Sequence, residues 1–151
     1  MRFFNFLILL VLIIVVGACG TFARTNTQPS VDHELIERGI EIYRSNYCGA
    51  CHTLTIANTH GTFGPNHDLL VESATSYIKL KTYSGTATTL SEYIRESILN
   101  PTIFYTPGFE ASNHHMPAFT NLSDSDVDIL VYMLLHPYDG NENQDRENVV
   151  R

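Results

Sequence analysis

Apolar and polar positions divide the chain into stretches of different character. Residues 3–18 are apolar almost without a break behind Arg2, and they end in Val16-Gly17-Ala18-Cys19. Residues 19–30 are polar, with Thr, Asn and Gln and with Pro29 near the end. From 31 to 138 apolar residues recur at helical spacing between loops, and 139–151 is polar and charged. The last stretch carries too little apolar surface to offset the entropy of ordering, so it reads as disordered.

Within 31–138 the periodicity predicts a helix over 32–47, where Ile36, Ile40, Tyr43 and Tyr47 fall on one face and Glu34 and Glu37 favour its N-terminal end. Gly39 sits mid-helix at a cost of about 1 kcal/mol, which a close helix crossing explains. Residues 54–64 read as loop, and a short helix is expected over 76–81. Thr89-Leu90-Ser91-Glu92 is a capping box opening a helix over 90–99, which Asn100-Pro101 stops. Ser123-Asp124-Ser125-Asp126 starts another over 124–135, with Val127, Leu130, Val131 and Leu134 inward and Met133 in the core. Between them, 102–121 is a long loop of the kind that is usually functional in a compact domain.

The first of these helices leads straight into Cys48-Gly49-Ala50-Cys51-His52, the attachment signature for c-type haem. Two thiols at that spacing add across the vinyl groups of one porphyrin, and the next residue offers an imidazole to the iron. A zinc site would need further Cys or His ligands, and the one other cysteine, Cys19, lies at the end of the leader. A thioredoxin-like pair would want a βαβ setting. Electron transfer calls for a second axial ligand. Met116 in His114-His115-Met116-Pro117 is the candidate, because Met1 is the initiator and Met133 belongs to an apolar helix. His114 and His115 compete with it as imidazoles. Near Gly64-Pro65-Asn66 a backbone carbonyl can accept a hydrogen bond from the free ring nitrogen of His52, or the segment is a bare turn. Phe104, Tyr105 and Phe119 line a bound ring or are plain core aromatics.

The order of these parts resembles that of a class I cytochrome c domain over about 31–138. The resemblance implies an all-α cytochrome c fold of three to five helices around one covalent haem c. It implies that the first and last helices cross near Gly39, and that Pro65 receives the hydrogen bond of the proximal histidine. On these terms Cys48, Cys51, His52, Pro65 and Met116 bind the cofactor, with His52 and Met116 on the metal. The stretch from Tyr93 to Met116 is similar to cytochrome c domains of bacterial respiratory complexes, including those fused to oxidase subunit II and the monohaem subunit of alternative complex III. The tryptophan that some relatives use near a haem propionate is absent; Tyr77, Tyr83 and Arg95 are the candidates to replace it. The activity implied is one-electron transfer, as a tethered carrier or a subunit of a larger redox complex. A haem enzyme or gas sensor with a displaceable distal ligand is the alternative.

Charge narrows the partners. The formal net charge is −7, from nine Lys and Arg against sixteen Asp and Glu, which excludes a phosphate-binding nucleic-acid surface. With Lys79 and Lys81 the only lysines, a charge-steered redox partner is expected to present a basic face, or else to be a neighbour within a membrane complex. The leader, residues 1–18, is short for a full span but long enough for a signal-peptide core. Val16-Gly17-Ala18-Cys19 resembles a bacterial lipobox, which makes Cys19 a lipid anchor and 19–30 a tether reaching about 40 Å when extended. An uncleaved helical anchor and cleavage after Ala23 are the other readings. All three place the domain on the outer side of a bacterial membrane. Mass spectrometry of the mature N-terminus separates them: a lipid-bearing Cys19 is expected, and a free Arg24 amine rules the anchor out.

Overall fold

Asp32 starts the fold. Its carboxylate accepts hydrogen bonds from the N–H groups of Glu34 (3.0 Å) and Leu35 (3.2 Å), satisfying donors that a helix start leaves open. Helix α1 then runs His33–Ser45 with Ile36, Ile40 and Tyr43 buried. The computed structural model describes residues 31–136; the leader, Cys19, the tether and the 139–151 tail lie outside the described residues. Among the described residues there are three further helices: α2 Leu70–Tyr77, α3 Leu90–Leu99 and α4 Asp124–Leu135. The architecture is all-α. Among the described residues the strand content is one antiparallel pair, β1 Thr53–Leu54 against β2 Thr59–His60, with Thr53 opposite His60.

Both sequence-predicted caps are present. Thr89 accepts from the N–H of Glu92, and the Glu92 carboxylate accepts from the N–H groups of Thr88 (2.8 Å) and Thr89 (3.0 Å). Ser123 accepts from the N–H of Asp126 at 3.1 Å. The inward positions predicted for α4 are buried, and Met133 is fully so. α1 packs along α4, and the N–H of Asp32 donates to the Tyr132 hydroxyl at 2.8 Å, fastening the start of α1 to α4. The crossing explains Gly39. A Cβ there would lie 2.5 Å from Cβ of Met133 and 3.3 Å from the Ile129 carbonyl oxygen.

Three local expectations change. The short helix lies at Leu70–Tyr77, earlier than 76–81. Its entry is the Asn66 side chain, which accepts from the Asp68 N–H and opens a 3-10 turn, His67–Leu69, that runs into α2. Ser73 and Thr75 bond back to the carbonyls of Leu69 and Val71, so polar residues sit inside this helix. Tyr47 does not extend the buried face of α1. The helix ends at Ser45, Asn46 donates its side-chain amide to the Ile42 carbonyl at 2.9 Å, and Tyr47 takes φ +58° and is 81% exposed. The stretch read as loop over 54–64 instead holds Leu54 of β1, all of β2 and a 3-10 turn, Thr55–Ala57, held where Thr59 Oγ1 accepts from the Leu54 N–H and donates to the His52 carbonyl, both at 3.0 Å.

Gly39→Ala is expected to lower the melting temperature. Overpacking at the crossing costs about 1–3 kcal/mol, against about 1 kcal/mol gained from helix propensity; an unchanged or raised melting temperature counts against the crossing. Acid should undo the α3 cap. Hydrogen bonds, first from Thr88 and then from Thr89, pull the Glu92 carboxyl from its usual 4.5 down to about 2. Its folded value lies below its unfolded one, so its stabilisation is full above pH 4.5 and fades as the pH falls towards 2. Denaturation curves of wild type and Glu92→Gln should differ at neutral pH and converge across that window.

Candidate functional site

α1 delivers the Cys-x-x-Cys-His segment directly. After Tyr47 one 3-10 turn, Cys48–Ala50, winds back so that the N–H groups of Cys51 and His52 bond to the Cys48 carbonyl at 3.2 and 3.1 Å. This turn sets Cys48, Cys51 and His52 in the wall of one cavity of about 490 Å³. Nε of Arg44 donates to the Ala57 carbonyl at 2.9 Å and ties the end of α1 to the segment after the motif.

His52 is 6% exposed, and its Nδ1 lies 2.7 Å from the Pro65 carbonyl oxygen. A carbonyl can only accept, so Nδ1 carries the proton. Burial holds the ring below the usual histidine pKa, with the Pro65 bond opposing in part. The imidazole is therefore neutral, with Nε2 unprotonated, which is the form a metal ligand needs. Gly64 makes the approach possible: a Cβ there would come within 2.4 Å of His52 Cε1 and 2.8 Å of Nδ1. The Gly64 N–H also donates to the Cys51 carbonyl at 2.9 Å.

Sequence reasoning passed over His67. Its ring stacks on that of His52, with centroids 4.0 Å apart and planes at 15°, and its Nδ1 lies 3.1 Å from the Tyr43 hydroxyl oxygen. Burial, and then the neighbouring His52, hold its pKa well below the usual value, so it too is neutral. Tyr43 is raised, by burial first and then by Cys48, and keeps its phenolic proton. No local signal marks His67, because only the turn after Pro65 brings it back over His52.

The two thiols are free and half-buried. Burial, with Cys51 adding to it, pushes the Cys48 thiol up to about 11, whereas a redox-active pair relies on a lowered thiol pKa. Among the described residues no three or more His, Cys, Asp or Glu side chains gather into a metal cage, which leaves a zinc site without its further ligands.

Apolar side chains of α2, α3 and α4 line much of the cavity, among them Leu70, Ile94, Ile98 and Leu130. The 102–121 segment supplies more of the wall, with Phe104, Tyr105, Met116 and Phe119 all lining it. That long segment is tied down. The Phe119 N–H donates to the Ile98 carbonyl at 3.1 Å, and the Tyr93 and Thr106 hydroxyls lie 3.3 Å apart. Met116 is half-buried and packs against the core. His114 and His115 also line the cavity but are exposed: His114 stacks on Phe63 with centroids 4.3 Å apart, and His115 lies beside Tyr105. Of the candidates to replace the missing tryptophan, Tyr77 lines the cavity and the other two do not. Arg95 pairs with Asp124 and Asp128 of α4, and the Tyr83 hydroxyl donates to Glu96. Lys79 and Lys81 are exposed and away from the cavity wall.

A model of the cytochrome c family matches residues 36–136. The chain belongs to the cytochrome c family. Comparisons with curated proteins and with solved structures give no significant match. Cytochromes c bind haem c covalently and use it for electron transfer, and Cys48 and Cys51 complete this chain's attachment motif. The residues present fit that group: a large apolar cavity, two thiols in its wall, and beside them a neutral imidazole with one nitrogen already satisfied. Among the described residues no helix is long and apolar enough to cross a membrane.

Proposed function

We propose that the chain is a monohaem electron carrier, tethered to the outer side of a bacterial membrane through Cys19, that serves a respiratory or photosynthetic chain as a carrier or as a subunit of a redox complex. Haem, when bound, supplies a one-electron couple whose potential follows from its axial ligands and surroundings. The chain's own residues do the rest. Cys48 and Cys51 hold the macrocycle by thioethers. His52 gives its Nε2 lone pair, and the Pro65 carbonyl keeps the proton on Nδ1 so that this lone pair stays free. Met116 gives a soft thioether as the second ligand, which favours the reduced state and raises the potential. The apolar walls keep water away.

The single observation that carries this reading is the His52 Nδ1 to Pro65 contact of 2.7 Å within the cavity that Met116 also lines. An enzyme or sensor would want a free polar group over the iron. The two histidines beside Met116 also line the cavity, but both are exposed, His114 stacked on Phe63 and His115 beside Tyr105, whereas Met116 is half-buried against the core. The net charge of −7, with both lysines off the cavity wall, favours a partner with a basic docking face.

Met116→Ala in the haem-loaded protein tests the ligand pair. Loss of the weak far-red band of thioether–ferric iron ligation, a lower reduction potential and new carbon monoxide binding are expected. An unchanged spectrum removes Met116 from the iron.

A further inference from the structure

A single hydrogen bond from Nδ1 to Pro65 fixes which nitrogen of His52 is protonated, but it leaves the ring able to rock about the Nδ1–oxygen line. The ring of His67 covers the other freedom, lying nearly parallel on His52 at 4.0 Å and 15°. His67 is itself held from several sides. Its Nδ1 is bonded to the hydroxyl of Tyr43, a residue of α1 that is 1% exposed and whose ring meets His67 edge-on at 5.7 Å. The turn that carries it is opened by Asn66, which accepts from the Asp68 N–H at 2.9 Å. Asp68 in turn accepts from the N–H and the hydroxyl of Thr55, both at 2.8 Å, which pins the turn to the segment just after His52. An apolar side chain would fill the same space but could not bond Tyr43. This arrangement aims a ring; it does not merely fill a gap.

We infer that His67 is a positioning residue for the axial imidazole: stacked on His52 and anchored by Tyr43, it fixes the plane of the His52 ring. The inference rests on the reading of His52 as the iron's ligand, and its test separates the two. In a paramagnetic ferric haem protein the order and spread of the haem-methyl proton resonances report the orientation of the axial ligand planes. His52→Ala comes first. A ferric spectrum identical to wild type would sink the ligand assignment, and this inference with it. With that assignment standing, His67→Ala should reorder the methyl resonances or split them into a second set, while covalent haem and the far-red band persist. His67→Phe, which keeps a flat ring on His52, should return the pattern towards wild type. Tyr43→Phe, which removes only the anchor, should move it in the same direction as His67→Ala but less. A wild-type methyl pattern in His67→Ala overturns the inference. Should that variant fail to mature, a Tyr43→Phe pattern identical to wild type overturns it equally.

Discussion

A buried imidazole with no acidic partner must be neutral with its N–H satisfied, and in this protein burial meets the first condition and one hydrogen bond the second. The proton of His52 sits on Nδ1 because the Pro65 carbonyl 2.7 Å away can only accept it, and burial disfavours a second proton. Much of the neighbouring structure follows from that contact. Position 64 must be glycine, since a Cβ would overlap the ring. The turn at Cys48–Ala50 follows α1 after only Asn46 and Tyr47, which brings His52 beside Pro65. Even the left-handed backbone at Tyr47, uncommon for a residue with a bulky side chain, serves to redirect the chain between helix and motif.

Helix packing frames the cavity around this contact. α1 and α4 approach closely because Gly39 has no side chain to hold them apart, and Met133 fills the crossing. α4 then offers Leu130 and Leu134 to the cavity, and α3 offers Tyr93, Ile94 and Ile98. α3 also anchors the long segment that carries Met116, through the Ile98 carbonyl and the Tyr93 hydroxyl. The same residues therefore serve core and site. Covalent haem bound in such a cavity becomes part of the apolar core of a small domain whose polypeptide alone has a modest one.

What the sequence revealed divides along physical lines. The attachment motif was legible because covalent chemistry fixes its spacing. The α3 and α4 boundaries were legible because capping residues act on neighbours three positions away. Gly39 stood out because a glycine is disfavoured mid-helix unless something needs the space. Features decided by distant groups were not legible. α2 was displaced because its start lies in a side-chain turn at Asn66 and its interior holds Ser and Thr that bond back to the helix. Periodicity alone carried Tyr47 inward, since it does not register where a helix stops. Arg95 was a candidate for the cavity until α4 offered it Asp124 and Asp128. His67, two residues beyond Pro65, gains its meaning only when the chain folds back over His52.

On the proposed reading, side chains of this one chain close both faces of a single haem, which moves single electrons without binding a substrate. Spectroelectrochemical titration of the haem-loaded full chain, with carbon monoxide added to the reduced form, tests it most directly. One Nernstian one-electron transition between two low-spin spectra is expected, with no rapid carbon monoxide binding. A high-spin spectrum in either state, with prompt carbon monoxide binding by the reduced protein, would contradict it.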